Sequence, residues 1–313
     1  MGSPILSIVI PCYNEESAIP AFYDTTIRVL SEMPFEDPED AEFLFVDDGS
    51  TDQTLQVLKE LASKDSRVRY ISFSRNFGKE AALYAGLSKS SGKYTVSLDA
   101  DLQHPPSLLP KMYELIQEEG IECVEGRRTS RTNEPWLRTF FTKMFYKFLS
   151  RLSEVQIEDG SGDFRFMTGK YKSAVLSLCE RNRFSKGIFP WVGFGTRKIE
   201  FENVERVAGE TKWSFRKLLL YSLDGIIGFS SKPLYFSATA GLASIVISFV
   251  LIVALIIRKL VWNNSIEGWA SLMCVILFVA GVQLFATGIV GVYLAKMYSE
   301  IKQRPIYIVK EEK

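Results

Sequence analysis

The sequence has a single histidine, His104, and no cysteine pair of the CxxC kind. A zinc centre needs several nitrogen or sulfur ligands, and a lone His in the turn Gln103-His104-Pro105 has no second ligand beside it. A His-based triad is excluded on the same reading, and His104 reads as a surface loop residue. The four cysteines, Cys12, Cys123, Cys179 and Cys274, are far apart in the chain, so neither a zinc site nor a disulfide framework is indicated. Net charge is also missing: 37 basic residues balance 37 acidic ones, which argues against a nucleic-acid binder driven by bulk positive charge. The N-terminus lacks a basic region ahead of its apolar run. Ile5–Ile10 is short, ends at Pro11, and reads as a buried strand instead of a signal peptide.

Two long stretches lack charge altogether. Pro233–Ile257 and Trp269–Leu294 contain no Asp, Glu, Lys or Arg. Each can cross a hydrocarbon core of about 30 Å as a helix rising about 1.5 Å per residue. Tyr235, Trp262, Trp269, Tyr293 and Tyr298 stand near the ends, where amphipathic rings favour a membrane interface. Arg216, Lys217 and Lys232 precede the first span, and Lys296, Lys302 and Arg304 follow the second. Arg258 and Lys259 oppose that bias, but the balance predicts both termini on the cytoplasmic side. Ala240, Ser244 and Ser248, and again Thr287, Gly291 and Ala295, recur every four residues. Such stripes can pack the spans together or build a homo-oligomer.

The chain as a whole is 47% hydrophobic and 24% charged, enough for a packed core. Up to about residue 210 it alternates apolar strands with helical patterns. Strands are expected at Ile5–Ile10, Phe43–Val46, Val68–Phe73 and Tyr94–Leu98, and helices at Ala18–Met33, Thr54–Ser63 and Glu80–Ser88. This alternation implies an α/β domain with a mostly parallel sheet. Ligands of such sheets bind beyond the carboxyl ends of the strands. The polar clusters Pro11–Glu15, Asp47–Ser50 and Asp99–Gln103 all fall at such ends.

Asp99-Ala100-Asp101 is the sharpest of them. Two carboxylates one residue apart at a strand end suit one hard cation, Mg²⁺ or Mn²⁺, which commonly bridges carboxylates to substrate phosphates. A divalent ion there would neutralise charge on a departing diphosphate. In Asp47-Asp48-Gly49-Ser50-Thr51-Asp52, a carboxylate after a strand can hold a ribose hydroxyl or base edge, and Gly49 permits the turn.

Ser7-Ile8-Val9-Ile10-Pro11-Cys12-Tyr13-Asn14-Glu15-Glu16, Val46–Asp52 and Asp99–Gln103 together resemble glycosyltransferase family 2. Arg75-Asn76-Phe77-Gly78-Lys79, Gly162-Asp163-Phe164-Arg165, Glu180–Phe184 and the two spans narrow the resemblance to polyisoprenyl-phosphate glycosyltransferases. The resemblance is especially to bactoprenol glucosyltransferases and, more distantly, to dolichol-phosphate mannose synthases. It extends over nearly the whole chain.

The resemblance implies a GT-A-type, Rossmann-like catalytic domain, juxtamembrane amphipathic helices and two transmembrane helices. It divides the chain into a cytoplasmic transferase domain at 1–210 and a juxtamembrane region at 211–232. Spans at 233–257 and 269–295 flank a short extracytoplasmic loop at 258–268, and a cytoplasmic tail occupies 296–313. The expected location is a bacterial-type plasma membrane. The implied partners are a nucleotide-sugar, UDP-glucose first, a polyisoprenyl phosphate acceptor and membrane lipids.

Carried over by position, Pro11, Tyr13, Glu15 and Asp48 hold the nucleoside. Asp99 and Asp101 face sugar and metal, and Gln103 is a further diphosphate or metal contact. Arg127 or Arg128 stands where the family has a phosphate-binding Arg, and Arg138 follows at a plausible distance. Arg206 and Lys212 match a basic pair near the acceptor phosphate. Asp163 is a base or an acceptor-side orienter. Positioning is favoured, because a phosphate monoester is largely dianionic at neutral pH and needs no strong base. The family usually has an acidic residue where this chain has His104.

Leu137, Phe140, Phe141, Met144, Phe145, Phe148 and Leu152, interrupted by Arg138, Lys143, Lys147 and Arg151, form a basic amphipathic pattern suited to the headgroup region. Phe215–Phe229 reads as a second juxtamembrane helix. The tail Arg304–Val309 reads as a short strand that joins a sheet edge, in its own or in a neighbouring subunit, so losing Pro305–Lys313 should weaken assembly. Three other readings compete with a glucosyltransferase: a GDP-mannose-dependent enzyme, a processive polysaccharide synthase and a membrane scaffold with a degenerate transferase domain. The sequence lacks the QxxRW motif typical of the synthases, and the scaffold reading predicts damage at Asp48, Asp99 or Asp101, all of which are intact.

Overall fold

The structure is a computed structural model that describes residues 4–34, 40–128, 162–202, 227–228, 230–262 and 268–313. Two compact units are present, one of Met1–Gly225 with Arg304–Lys313 and one of Ile226–Gln303. Arg138, Arg206, Lys212 and the expected amphipathic helix over 137–152 lie outside the described residues, as does nearly all of the expected Phe215–Phe229 helix.

The first unit is built on an eight-stranded mixed sheet. Its strands are β1 (Leu6–Cys12), β2 (Ala41–Asp47), β3 (Val68–Phe73), β4 (Tyr94–Ser97), β5 (Cys123–Arg128), β6 (Arg165–Thr168), β7 (Thr196–Phe201) and β8 (Val309–Glu312). Their order across the sheet is β7-β5-β6-β4-β1-β2-β3-β8. The helices of this unit are α1 (Ile19–Leu30), α2 (Thr54–Lys64), α3 (Lys79–Lys89), α4 (Leu109–Leu115), α5 (Gly169–Ser177) and α6 (Ser185–Trp191). This is the GT-A-like architecture that the resemblance implied.

The sheet is less uniformly parallel than the sequence suggested. β1, β2, β3 and β4 pair in parallel, but β6 runs antiparallel to both β4 and β5. The central strands are fully buried, with Ile8, Val9, Ile10, Phe43, Leu44 and Phe45 all inaccessible to solvent. Strands covered on both faces read as continuous apolar runs, which is why β1 and β2 stand out in the sequence.

Strand direction decides where the polar clusters go. Cys12 pairs with Asp47 and Val9 with Ser97, so the carboxyl ends of β1, β2 and β4 share one rim. β6 opposes β4, with Ser97 paired to Arg165, so its N-terminal end carries Asp163 to that same rim. β5 opposes β6 in turn, and its C-terminal Arg127 and Arg128 arrive there too.

β8 revises the reading of the tail. The strand covers Val309–Glu312, beyond the expected Arg304–Val309, and pairs antiparallel with β3 of its own chain. Tyr307 stacks on Phe73 at 4.9 Å between centroids, and Glu311 and Glu312 pair with Lys59 and Lys89 at 2.8 and 3.0 Å. The β3 edge is therefore covered from within the chain. Deleting Pro305–Lys313 should cost the transferase unit roughly 2 kcal/mol of apolar and aromatic contact. That corresponds to a melting temperature lower by about 5 °C. Differential scanning fluorimetry of the full chain in detergent checks this, and an unchanged melting temperature contradicts it.

The second unit contains α7 (Lys232–Trp262) and α8 (Trp269–Ile301). By length and composition both are able to cross a membrane, with mean hydropathy 2.3 over Lys232–Ala254 and over Val275–Ile301. Large apolar side chains such as Phe236, Phe249, Phe278 and Leu284 point outward. The hydroxyl of Tyr293 on α8 donates to the Ser230 carbonyl just before α7 at 2.5 Å.

Candidate functional site

The rim is assembled by loops that hold one another. The Asn14 amide donates to the Ser50 hydroxyl at 2.9 Å, the Glu15 amide to Thr54 at 2.8 Å, and the Thr51 amide to the Asn14 side chain at 2.8 Å. These bonds tie the loop after β1 to the loop after β2. Tyr13 and Glu15 lie on the first of these loops and Pro11 near the end of β1, with Tyr13 exposed and Pro11 and Glu15 half-buried.

Gly49 has φ +66° in the second loop, and a side chain there would meet the Arg75 backbone at 2.4 Å. The close approach brings the loop after β3 against the loop after β2. Asp48 completes the junction: its carboxylate accepts the Phe77 amide at 2.6 Å and the Gly78 amide at 2.9 Å. Asp47 faces inward, accepting from the Ser50 amide at 2.9 Å and the Ser72 hydroxyl at 2.7 Å. The structure thus gives Asp48 a loop-fixing role besides the nucleoside contact expected of it.

Burial pushes the Asp48 carboxyl up from its ordinary 3.8 to about 6, against the opposing pull of the two amides. An acid with a raised folded value loses stabilisation as pH rises through the window between the two values. The wild type should therefore lose thermal stability relative to Asp48→Asn between about pH 4 and pH 6. Paired melting curves across that range check it, and a pH-independent difference contradicts it.

Asp99, Asp101 and Gln103 form the turn after β4. The Gln103 amide donates to Asp101 Oδ1 at 3.1 Å, and Leu102 adopts φ +60°, a conformation that costs a non-glycine residue energy. Arg128 Nη2 donates to Gln103 Oε1 at 3.2 Å, which joins the end of β5 to this turn. Arg127 is half-buried beside it on β5.

Lys79, the first residue of α3, was not singled out from the sequence. Its Nζ lies 2.7 Å from Asp99 Oδ1 and 3.0 Å from Asp163 Oδ2. Burial opposes charge on all three groups, yet their mutual attraction prevails: the lysine is held above its ordinary value and both carboxyls below theirs. Asp163 is fixed further through its carbonyl, which accepts the Ser97 hydroxyl. One signal for Lys79 was available. A basic residue in the first turn of a helix opposes the helix dipole and calls for compensating carboxylates.

His104 is corrected from a surface position to a buried one. It is 8% exposed, stacks on Phe164 at 5.2 Å and meets the edge of Phe201 at 6.4 Å. Its Nδ1 accepts the Asp99 amide at 3.2 Å, and burial lowers its pKa, so the ring is neutral. Gly126 makes room for this stack, since a side chain there would meet the Phe164 ring at 2.4 Å. Phe164 and Phe201 come from distant segments, which is why local spacing around His104 did not reveal the pocket.

The donor set fits one hard cation. Asp99 and Asp101 would supply carboxylate oxygens and Gln103 an amide oxygen; Lys79 now pairs with Asp99 and Arg128 with Gln103, while His104 Nδ1 is engaged with the Asp99 backbone. Among the described residues no cluster of three or more His, Cys, Asp or Glu forms a complete protein cage. Magnesium sites are commonly of this incomplete kind, with substrate phosphates supplying the other ligands.

An α/β sheet with acidic turns and basic groups gathered at its carboxyl rim is the arrangement of a GT-A-like domain. The chain belongs to Glycosyl transferase family 2, which matches residues 7–171. It is 41% identical over 308 residues to the bactoprenol glucosyl transferase of Shigella phage SfV, covering 98% of this chain and 99% of that protein. It is 37% identical over 308 residues to the prophage bactoprenol glucosyl transferase homolog of Escherichia coli (strain K12), with the same coverage of each chain. Among solved structures, glucosyl-3-phosphoglycerate synthase from Mycobacterium tuberculosis is similar at 21% identity and a TM-score of 0.49, covering 72% of this chain and 78% of that one.

Proposed function

We propose that the protein transfers glucose from UDP-glucose to a polyisoprenyl phosphate of the undecaprenyl type, with inversion, at the cytoplasmic face of a bacterial-type plasma membrane. The observation that carries this reading is the convergence of Asp99, Asp101, Asp163, Lys79 and Arg128 on one rim. Near full-length similarity to bactoprenol glucosyl transferases supports the choice of sugar and of lipid. The two apolar helices provide a means of staying at the membrane where the lipid acceptor resides.

The reaction is one displacement. An oxygen of the acceptor phosphate forms a bond to the anomeric carbon, and the bond from that carbon to the UDP oxygen breaks, its electron pair leaving with UDP. The acceptor is largely dianionic at neutral pH, so no proton need be removed. Pro11, Tyr13, Glu15 and Asp48 hold the nucleoside. Asp99, Asp101 and Gln103 would hold Mg²⁺ or Mn²⁺, which supplies neutralisation of the diphosphate charge when bound. Arg127 and Arg128 stand toward the phosphates, and Arg138, Arg206 and Lys212 are assigned to the phosphate and acceptor side from sequence. Asp163 orients the acceptor side instead of acting as a strong base. Rate enhancement then rests on alignment and preorganised charge. The assignments 1–210 transferase, 211–232 juxtamembrane, 233–257 and 269–295 spans, 258–268 extracytoplasmic loop and 296–313 cytoplasmic tail belong to this reading, as does a homo-oligomeric assembly.

The test is incubation of purified full-length protein with short-chain polyprenyl phosphate and, separately, UDP-glucose and GDP-mannose, with Mg²⁺ or with chelator. Glucolipid formed only with metal supports the reading. Transfer from GDP-mannose alone overturns the sugar, and no lipid product from either donor overturns the reaction.

A further inference from the structure

Four consecutive residues at the start of α3 connect to separate parts of the rim. The Phe77 and Gly78 amides bind the Asp48 carboxylate at the end of β2. Lys79 pairs with Asp99 after β4 and with Asp163 before β6. Glu80 accepts the Ser185 amide at 3.0 Å and the Ser185 hydroxyl, holding the first residue of α6. A segment fastened at both ends in this way has little freedom to drift.

Lys79 is the part of this segment that faces the chemistry. Its side chain is 46% exposed, while its ammonium is drawn in between the two carboxylates, where burial opposes its charge. Asp99 and Asp163 come from different strands, and two carboxylates brought to one rim repel each other. One ammonium within ion-pair distance of both offsets that repulsion and fixes their relative orientation. A lysine suits the task because its charge is compact and its three donors can serve two acceptors at once. Glu80 adds a second restraint on the same helix turn. It ties α3 to α6, whose second residue, Lys186, lowers the Asp163 carboxyl value through its charge.

We propose that Lys79 is a positioning residue, whose ammonium orients the acceptor-side Asp163 against the donor-side Asp99 so that both face one reaction centre. This rests on the transfer reading above, which makes Asp99 a donor-side and Asp163 an acceptor-side group.

The experiment uses full-length protein in detergent and compares wild type, Lys79→Met, Lys79→Arg, Asp163→Asn and the Lys79→Met/Asp163→Asn double variant. Steady-state transfer gives kcat and KM for UDP-glucose, and calorimetry with UDP and Mn²⁺ gives donor-side affinity independently of turnover. Lys79→Met should lower kcat by about 100-fold, the scale of a misaligned reacting group. KM and UDP affinity should stay within about threefold, because Asp101 and Gln103 are untouched and Asp99, though it loses its ammonium partner, keeps the bond from its amide to His104. Lys79→Arg should recover about tenfold of the loss by restoring the charge with a longer reach. The double variant should be no slower than Asp163→Asn alone, since Lys79 acts through that carboxylate.

A Lys79→Met enzyme with kcat near wild type overturns the proposal. So does a large loss of UDP affinity, which would place Lys79 on the donor, and so do losses that multiply in the double variant. An inactive wild type overturns the transfer reading itself, and the Lys79 role with it. An active wild type with an unaffected Lys79→Met overturns the Lys79 role alone.

Discussion

Asp101→Asn should abolish sugar transfer, lowering kcat by about 10³-fold or more, while leaving the melting temperature within a few degrees of wild type. The asparagine keeps an oxygen able to accept the Gln103 amide, so the turn that presents Gln103 to Arg128 retains its geometry. What it lacks is the negative charge. A cation at this rim has few protein ligands to rely on, and losing one of two carboxylates removes much of its hold. Electrostatic contributions of this kind are commonly worth 10² to 10³ each, and here the metal site and the diphosphate contact fail together. Asp101→Asn should also weaken Mn²⁺-dependent UDP binding in calorimetry. Near-normal turnover in the variant would remove Asp101 from the metal site.

Arg165→Met is expected to have the largest effect on stability. Arg165 and Glu125 are directly opposed on β6 and β5 and form an ion pair of 2.9 Å, with side chains 3% and 7% exposed. The guanidinium also lies 4.6 Å from the centre of the Phe189 ring. Removing one partner leaves the other charge buried, which costs about 3 to 5 kcal/mol. For a domain of this size that is a melting temperature lower by roughly 10 °C. Glu125→Leu combined with Arg165→Met should recover most of the loss, because neither charge then remains in the core. The loss should reach function as well. Arg165 sits two residues after Asp163, so a loosened β6 end displaces that carboxylate from Lys79. Melting curves of the single and double variants decide the matter: no recovery in the double variant would mean that packing against Phe189, and not the stranded charge, carries the effect.

The legible part of the fold was the part governed by local rules. β1 to β4 were visible because central strands buried on both faces must be apolar throughout. β5, with Glu125, Arg127 and Arg128, and β7, with Arg197, Lys198 and Glu200, carry charges that hide the strand pattern. Glu125 is paired with Arg165, which faces it from 40 residues further along, a pairing that no window along the chain contains. β8 was displaced by a few residues because an edge strand of the composition Val-Lys-Glu-Glu is polar on its open side. At the site, the acidic turns were found from their positions after strands. His104 and Lys79 were not, since each takes its role from partners brought by other strands: Phe164 and Phe201 for the first, Asp163 for the second.

The central claim is a single inverting displacement by a lipid phosphate. Its most direct test is the structure of the lipid product, extracted after reaction of full-length protein with UDP-glucose and polyprenyl phosphate and analysed by mass spectrometry and proton and phosphorus NMR. The account predicts one glucose joined through phosphate to the polyprenyl chain in the β configuration, opposite to that of the donor. An α-linked product, a chain of several sugars, or release of free glucose without a lipid product would contradict it.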